Sequence, residues 1–319
     1  MKPRMLALLL CALLVPQGPS LAQQAAKSAV PVKPVEVRHP LLWRVSDADN
    51  SVYLLGSFHM LKPADLPLSA DVDRAFEDAG SLLFEVDPAA LTSPETAAMA
   101  QRYMGYDDDK VTLSSVIPKE TSERLGTLLA AGGNSLQAVE RYEPWAVSTM
   151  LSIGLMQALG FRQDLGVDRW LAERATEAGK PARGLETAAD GFAALDAIPY
   201  PEQVRDLDEF LDDPQKVVNR IRVMHDDWRA GDAVALERLM QTEMVDKSPD
   251  TYRLVVVQRN RIWLPQVERR LIDEHKDNTL VVVGALHLLG PDGLVEQLRA
   301  KGYKVERVCD GCAVTEAAH

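Results

Sequence analysis

Apolar positions along the chain follow two rhythms. Unbroken short runs at 52–55 ("VYLL"), 81–86 ("SLLFEV") and 279–284 ("TLVVVG") show no alternation, the pattern of strands covered on both faces of a sheet. Between the first two, "LSADVDRAFEDAG" at 68–80 carries apolar residues at helical spacing. Ser69 is its N-cap, Asp71 and Asp73 sit in its first turn, and Gly80 closes it. Strand, turn-rich connector, helix and strand make a βαβ unit. The middle of the chain is helical. Two short helices joined at Pro118 are predicted over 109–133, an apolar helix over 143–160, and an amphipathic one over 166–179 ending at Gly179. "KPARGLET" (180–187) adds a short extended piece carrying Glu186, and 201–246 is again helical with acidic faces. A long helix is predicted over 251–275, with Pro265 kinking it or marking a boundary. The pattern predicts an α/β fold, a central mixed sheet flanked by helices with a large, mostly helical middle insertion. One domain is expected over 39–308, followed by a tail over 309–319.

Two of these strands end alike. "VYLLGSFH" places Gly56 at the end of an apolar run and His59 three residues later; "TLVVVGALH" does the same with Gly284 and His287. The second unit continues with a turn containing Pro291, a helix capped by Asp292 and closed by Gly302, and a further strand. In open α/β sheets the carboxyl ends of strands open on the crevice where ligands bind, and glycine admits a sharp turn or a close neighbour there. A lone histidine in such a place is most simply a satisfied core residue. Two in one local context, 228 positions apart, with Glu85 and Glu186 also at strand ends, favour a metal site. Imidazole with carboxylate suits zinc, manganese or cobalt, and such an ion acidifies bound water.

Charge and composition narrow the partners. The 319 residues carry a formal charge of -12, and 46% are hydrophobic, ordinary for a globular protein and opposed to a nucleic-acid partner. Lys2 and Arg4 precede an apolar stretch at 5–15, and Ser20 and Ala22 suit cleavage after Ala22, so 1–22 is expected to be a signal peptide and 23–38 a flexible leader. Loss of Lys2 and Arg4 takes the charge from -12 to -14. No later stretch is long enough to span a bilayer, so the protein is expected to be exported, periplasmic or secreted. Cys11 falls inside the apolar run. Cys309 and Cys312 ("CDGC") remain, and in an oxidising compartment they are expected to close a small disulfide loop. They follow a strand-like stretch, whereas a thioredoxin-like pair needs a helix N-terminus.

Other clusters weigh less. In "HDDW" (225–228) adjacent helical residues point in different directions, which argues against a ligand set. "DDDK" (107–110) lacks the glycine and distal glutamate of a calcium loop. Tyr142, Pro144 and Trp145 in "RYEPW" either pack a helix start or line a cleft. Neither Ser57 nor Ser148 lies in a G-x-S-x-G elbow.

"YLLGSFHML", "LLFEVD", "GVDRWLAERATEAGKPARGLET", "RNRIWLPQVERRL" and "VVVGALHLLGPDGLVEQLRAKGYKVERV" together resemble the TraB/GumN family, which includes the Tiki metalloproteases. The resemblance covers Leu41 to Val308. It implies an α/β fold related to ChaN and erythromycin-esterase-like proteins and a divalent-metal hydrolase, the Tiki members being manganese- or cobalt-dependent peptidases. By motif, the matching positions are His59, His287, Glu85 and Glu186, with Arg259 and Asn260 as the family's "RN" pair. One departure stands out: Gly191 in "LETAADGFAALD" occupies the place where a glutamine is expected. On this reading His59, His287 and Glu85 hold the ion, and Glu186 is a further ligand or the general base. Arg259 either stabilises a developing oxyanion or ties the long helix to the sheet, while Asn260 bonds the backbone of a GxxH turn. The substrate is expected to be a peptide or another small envelope molecule. The competing class is a non-catalytic envelope protein that holds a metal, haem or a polysaccharide-related ligand.

Overall fold

The computed structural model describes residues 39–272 and 277–310. The expected signal peptide, the leader, Cys312 with its pairing to Cys309, and most of the tail lie outside the described residues. Two compact units divide the rest, one built from 39–90, Phe161–Ala188 and Arg222 onward, the other from Leu91–Gly160 and Ala189–Ile221.

The first unit holds a six-stranded mixed sheet in the order β4-β3-β5-β2-β1-β6. Its strands are β1 (Leu42–Ser46), β2 (Ser51–Ser57), β3 (Ser81–Val86), β4 (Ala182–Glu186), β5 (Thr279–Gly284) and β6 (Lys304–Arg307). β4, β3, β5 and β2 run parallel, while β1 is antiparallel to both β2 and β6. β5 is buried from Thr279 to Val283, as its unbroken apolar run demands. It is inserted between β2 and β3, so the βαβ unit β2–α1–β3, with α1 at Ala70–Asp78, is split by a strand from the far end of the chain. This topology brings the two GxxH segments onto neighbouring strands.

Four further helices matter here: α2 (Val167–Glu177), α3 (Pro214–Ala230), α4 (Arg259–Ile272) and α5 (Leu294–Ala300). α4 runs through Pro265 without a break; the irregularity lies upstream, in a π-helical turn at Arg253–Gln258 where the β-branched run crowds the helix. The expected cap of α5 is corrected. Gly293 holds the N-cap position, and the Asp292 carboxylate instead accepts from the Tyr252 hydroxyl at 3.2 Å. β1 is absent from the expected elements, although Leu42, Val45 and Trp43 are all buried.

The second unit is helical. Its core gathers Leu113, Ile117, Leu125, Val139, Val147 and Leu207 from the segments on both sides of the β4 excursion.

Candidate functional site

β2 and β5 end level with one another. Ser57 lies opposite Gly284, and Val86 of the flanking β3 lies opposite Glu186 of β4. Parallel register therefore delivers His59, Glu85, Glu186 and His287 to one carboxyl edge. Gly284 sits among them. A Cβ there would stand 3.1 Å from Glu85 Oε1, 3.5 Å from His59 Nε2 and 3.6 Å from a ring carbon of His287. Neither Gly56 nor Gly284 has a positive φ, so close approach and not an unusual turn is what glycine supplies.

His287 is buried, and its tautomer follows from its neighbours. Asn260 spends both amide hydrogens on backbone, donating to the carbonyls of His287 (3.0 Å) and Asp292 (2.8 Å). Its Oδ1 therefore accepts from His287 Nδ1–H at 2.8 Å, which leaves the lone pair on Nε2. Arg259 Nη1 donates to that Nε2 at 3.2 Å, and Trp263 packs beside the ring at 4.4 Å between centroids. Burial drives the pKa of His287 down to about 3, so the ring is neutral.

His59 is held through the same atom. Its Nδ1 lies 2.8 Å from Asp168 Oδ2, in the first turn of α2, and its Nε2 lies 4.0 Å from Glu85 Oε1. The Asp168 charge raises the pKa of His59 to about 9. The side chain is 64% exposed, so water screens part of this pull; its direction, toward a protonated ring, stands.

The carboxylates meet a cation. Glu85 accepts from the Gly284 amide at 2.6 Å and from Arg259 Nη2 at 2.6 Å. Burial alone would raise its pKa, but surrounding charge and the amide hold it down to about 2. His287 is uncharged above about pH 3, so at neutral pH Arg259 is the permanent partner. Glu186, its side chain only 2% exposed, accepts from Arg259 Nη2 at 2.7 Å and from Trp263 Nε1 at 2.9 Å. Burial raises its pKa despite those donors. With both oxygens engaged, Glu186 acts here as the anchor of Arg259.

Two supports went unassigned in the sequence. The α2 end fastens the first GxxH turn: Val167 N–H donates to the Phe58 carbonyl at 3.1 Å, and Leu61 and Arg162 exchange backbone bonds at 3.1 and 2.8 Å. From α3, the Trp228 indole donates to the Gly56 carbonyl at 3.0 Å, and His225 meets the buried Asp65 carboxylate at 2.8 Å. The rings of His225 and Trp228 flank Phe58 at 5.7 and 5.6 Å. "HDDW" thus holds the turn from behind, through the two of its residues that share a helix face. For Asp168 and Trp263 signals existed: a first-turn acid in "GVDRW", and a position four residues past Arg259 on one helix.

Donor chemistry here suits a divalent ion: an imidazole lone pair, an ionised carboxylate, and two rings each fixed by a second partner at Nδ1, as ligating histidines are. As the side chains stand, a guanidinium lies among the donors. No group of three His, Cys, Asp or Glu among the described residues is gathered closely enough to hold a metal ion.

A parallel sheet edge where two GxxH turns converge on an acid–guanidinium cluster defines an α/β protein with a polar site at its strand ends. The model of the TraB/PrgY/gumN family matches residues 41–307, and the chain belongs to that family. It is similar to "Uncharacterized protein YbaP" of Escherichia coli strain K12, 24% identical over 247 residues, which cover 77% of this chain and 87% of that protein. It is also similar to an "Uncharacterized protein" of Treponema pallidum, 22% identical over 309 residues, covering 92% and 90%. No solved structure matches.

Proposed function

We propose that the chain is an exported, divalent-cation-dependent hydrolase of peptidase type, with His59, Glu85 and His287 as the ion's ligands. The carrying observation is the paired orientation of the two imidazoles. Each is bound at Nδ1, by Asp168 or Asn260, and each turns its other edge toward the Glu85–Gly284 locus. When bound, such an ion supplies Lewis acidity and an acidified water. The chain's own residues do the rest. Asn260 keeps the His287 lone pair available, and Glu186 with Trp263 fixes Arg259. Arg259 is placed to meet negative charge arising on a substrate carbonyl oxygen. Ion uptake on this reading requires Nη1 of Arg259 to leave His287 and a proton to leave His59, so binding releases protons. Glu186 is freed as a base only if Arg259 swings away from it.

The second reading, a non-catalytic envelope protein holding metal, haem or a polysaccharide-related ligand, draws on the same engagement of Arg259 with both glutamates. Hydrolysis of an unstructured peptide by purified protein separates the two. Activity is expected with added manganese, cobalt or zinc, is abolished by chelation, and is lost in His287→Ala. Peptide left intact under all three metals would favour the binding reading.

A further inference from the structure

The sheet edge carries a buried hydroxyl with no structural task. Ser57, the last residue of β2, is only 3% exposed, and among the described residues its Oγ meets no hydrogen-bond partner. Burying a hydroxyl unpaired is costly, and the apolar residue that a covered strand ordinarily carries would avoid that cost. The place of Ser57 in the sheet points to a use. In a parallel pair, residues in register turn their side chains to one face. Ser57 is in register with Gly284, so its side chain stands on the face that a Gly284 Cβ would take, one strand spacing of about 4.8 Å to the side. That Cβ position lies 3.1 Å from Glu85 Oε1 and 3.5 Å from His59 Nε2, and glycine leaves it open. The two polar atoms that border it are 4.0 Å apart. This is too far for a hydrogen bond, and within the span of two ligands that each sit about 2.0–2.2 Å from one ion.

We propose that the Ser57 hydroxyl is a fourth ligand of the ion, a neutral oxygen beside His59, Glu85 and His287. It rests on the ion-dependent reading of this site and extends it. A serine oxygen offers lone pairs to a cation while its proton stays free for an acceptor. It adds no charge, so Glu85 remains the one anionic ligand of the set. The first GxxH segment then supplies two donors, Ser57 and His59, while β3 and the second GxxH turn supply one each. A serine kept only for packing would leave ion binding unmoved.

Cobalt titration of the full chain, read by equilibrium dialysis and by the visible absorption of the ion, tests this in the parent, Ser57→Ala and Ser69→Ala. Ser69 Oγ, at the start of α1, is also buried without a partner and serves as the control. Ser57→Ala is expected to bind cobalt at least about tenfold more weakly than the parent, with its absorption bands displaced by the loss of an oxygen ligand. Ser69→Ala should keep the parental affinity and bands. Without cobalt, Ser57→Ala should melt no lower than the parent, since alanine removes an unpaired buried hydroxyl. Parental affinity and bands in Ser57→Ala, an equal loss in Ser69→Ala, or a clearly lower melting temperature of cobalt-free Ser57→Ala would overturn the assignment of Ser57 and leave the ion-dependent reading standing. No cobalt bound by the parent would overturn both.

Discussion

Neutral His287, packed against Trp263 beside a buried guanidinium, couples the site to acid stability. Its folded pKa of about 3 lies below its ordinary 6.5, so between those values the unfolded chain binds the extra proton. Stability from this group is complete above pH 6.5 and drains as pH falls toward 3. For the chelator-treated protein we expect this group to account for a loss of about 2 kcal/mol between pH 7 and pH 5. The loss is read as the difference between parent and His287→Gln in urea denaturation, because His59, with its raised pKa, gains stability as pH falls and offsets part of the loss in the parent alone. His287→Gln should flatten that window. Glu85 adds its own loss only below 4.5, so the two do not overlap at pH 5. An unchanged slope in His287→Gln would show that other groups carry the acid sensitivity. At this scale the sequence was informative where a residue's chemistry announces itself, as with both histidines and both glutamates. It anticipated Asn260 on the backbone of a GxxH turn and an ion pair of Arg259 with the sheet, but not that Glu186 anchors Arg259 or that Asn260 fixes a tautomer, which depend on contacts between residues dozens of positions apart.

The element that positions His59 is the start of α2. Gly166 precedes that helix with a backbone so close to the first GxxH turn that a Cβ would fall 2.2 Å from the His59 carbonyl oxygen and 2.7 Å from its carbon. Backbone cannot yield as a flexible side chain does. Gly166→Ala is therefore expected to lose about 1–3 kcal/mol in chemical denaturation and to shift the His59 imidazole resonances, because the turn must move to make room. A variant with parental stability and unshifted resonances would show that α2 does not brace the turn. Helices and buried strands were legible from apolar spacing, and Ser69 and Gly80 marked the ends of α1 correctly to within a residue. β1 escaped because it sits in a short, mixed stretch next to the leader, with Arg44 interrupting its apolar residues. The π-helical turn before Arg259 escaped too, since its β-branched run fits a strand or a helix equally well.

Across the molecule, the feature that makes the site is topological. Matched GxxH contexts suggested that residues 228 positions apart share an edge, but not that β5 would enter between β2 and β3 and put Glu85 on the far flank. Parallel pairing is set by which strands are covered on both faces, and several orders of β2, β3 and β5 satisfy that requirement equally. The inserted order sets His59, Glu85 and His287 around Gly284, and the ion-dependent reading rests on that arrangement. Equilibrium dialysis against cobalt, followed by elemental analysis of the retained protein, measures it most directly. The account predicts one ion bound per chain in the parent and essentially none in either His59→Ala or His287→Ala, with both variants folded. Cobalt retained equally by parent and variants, or by none of them, would contradict it.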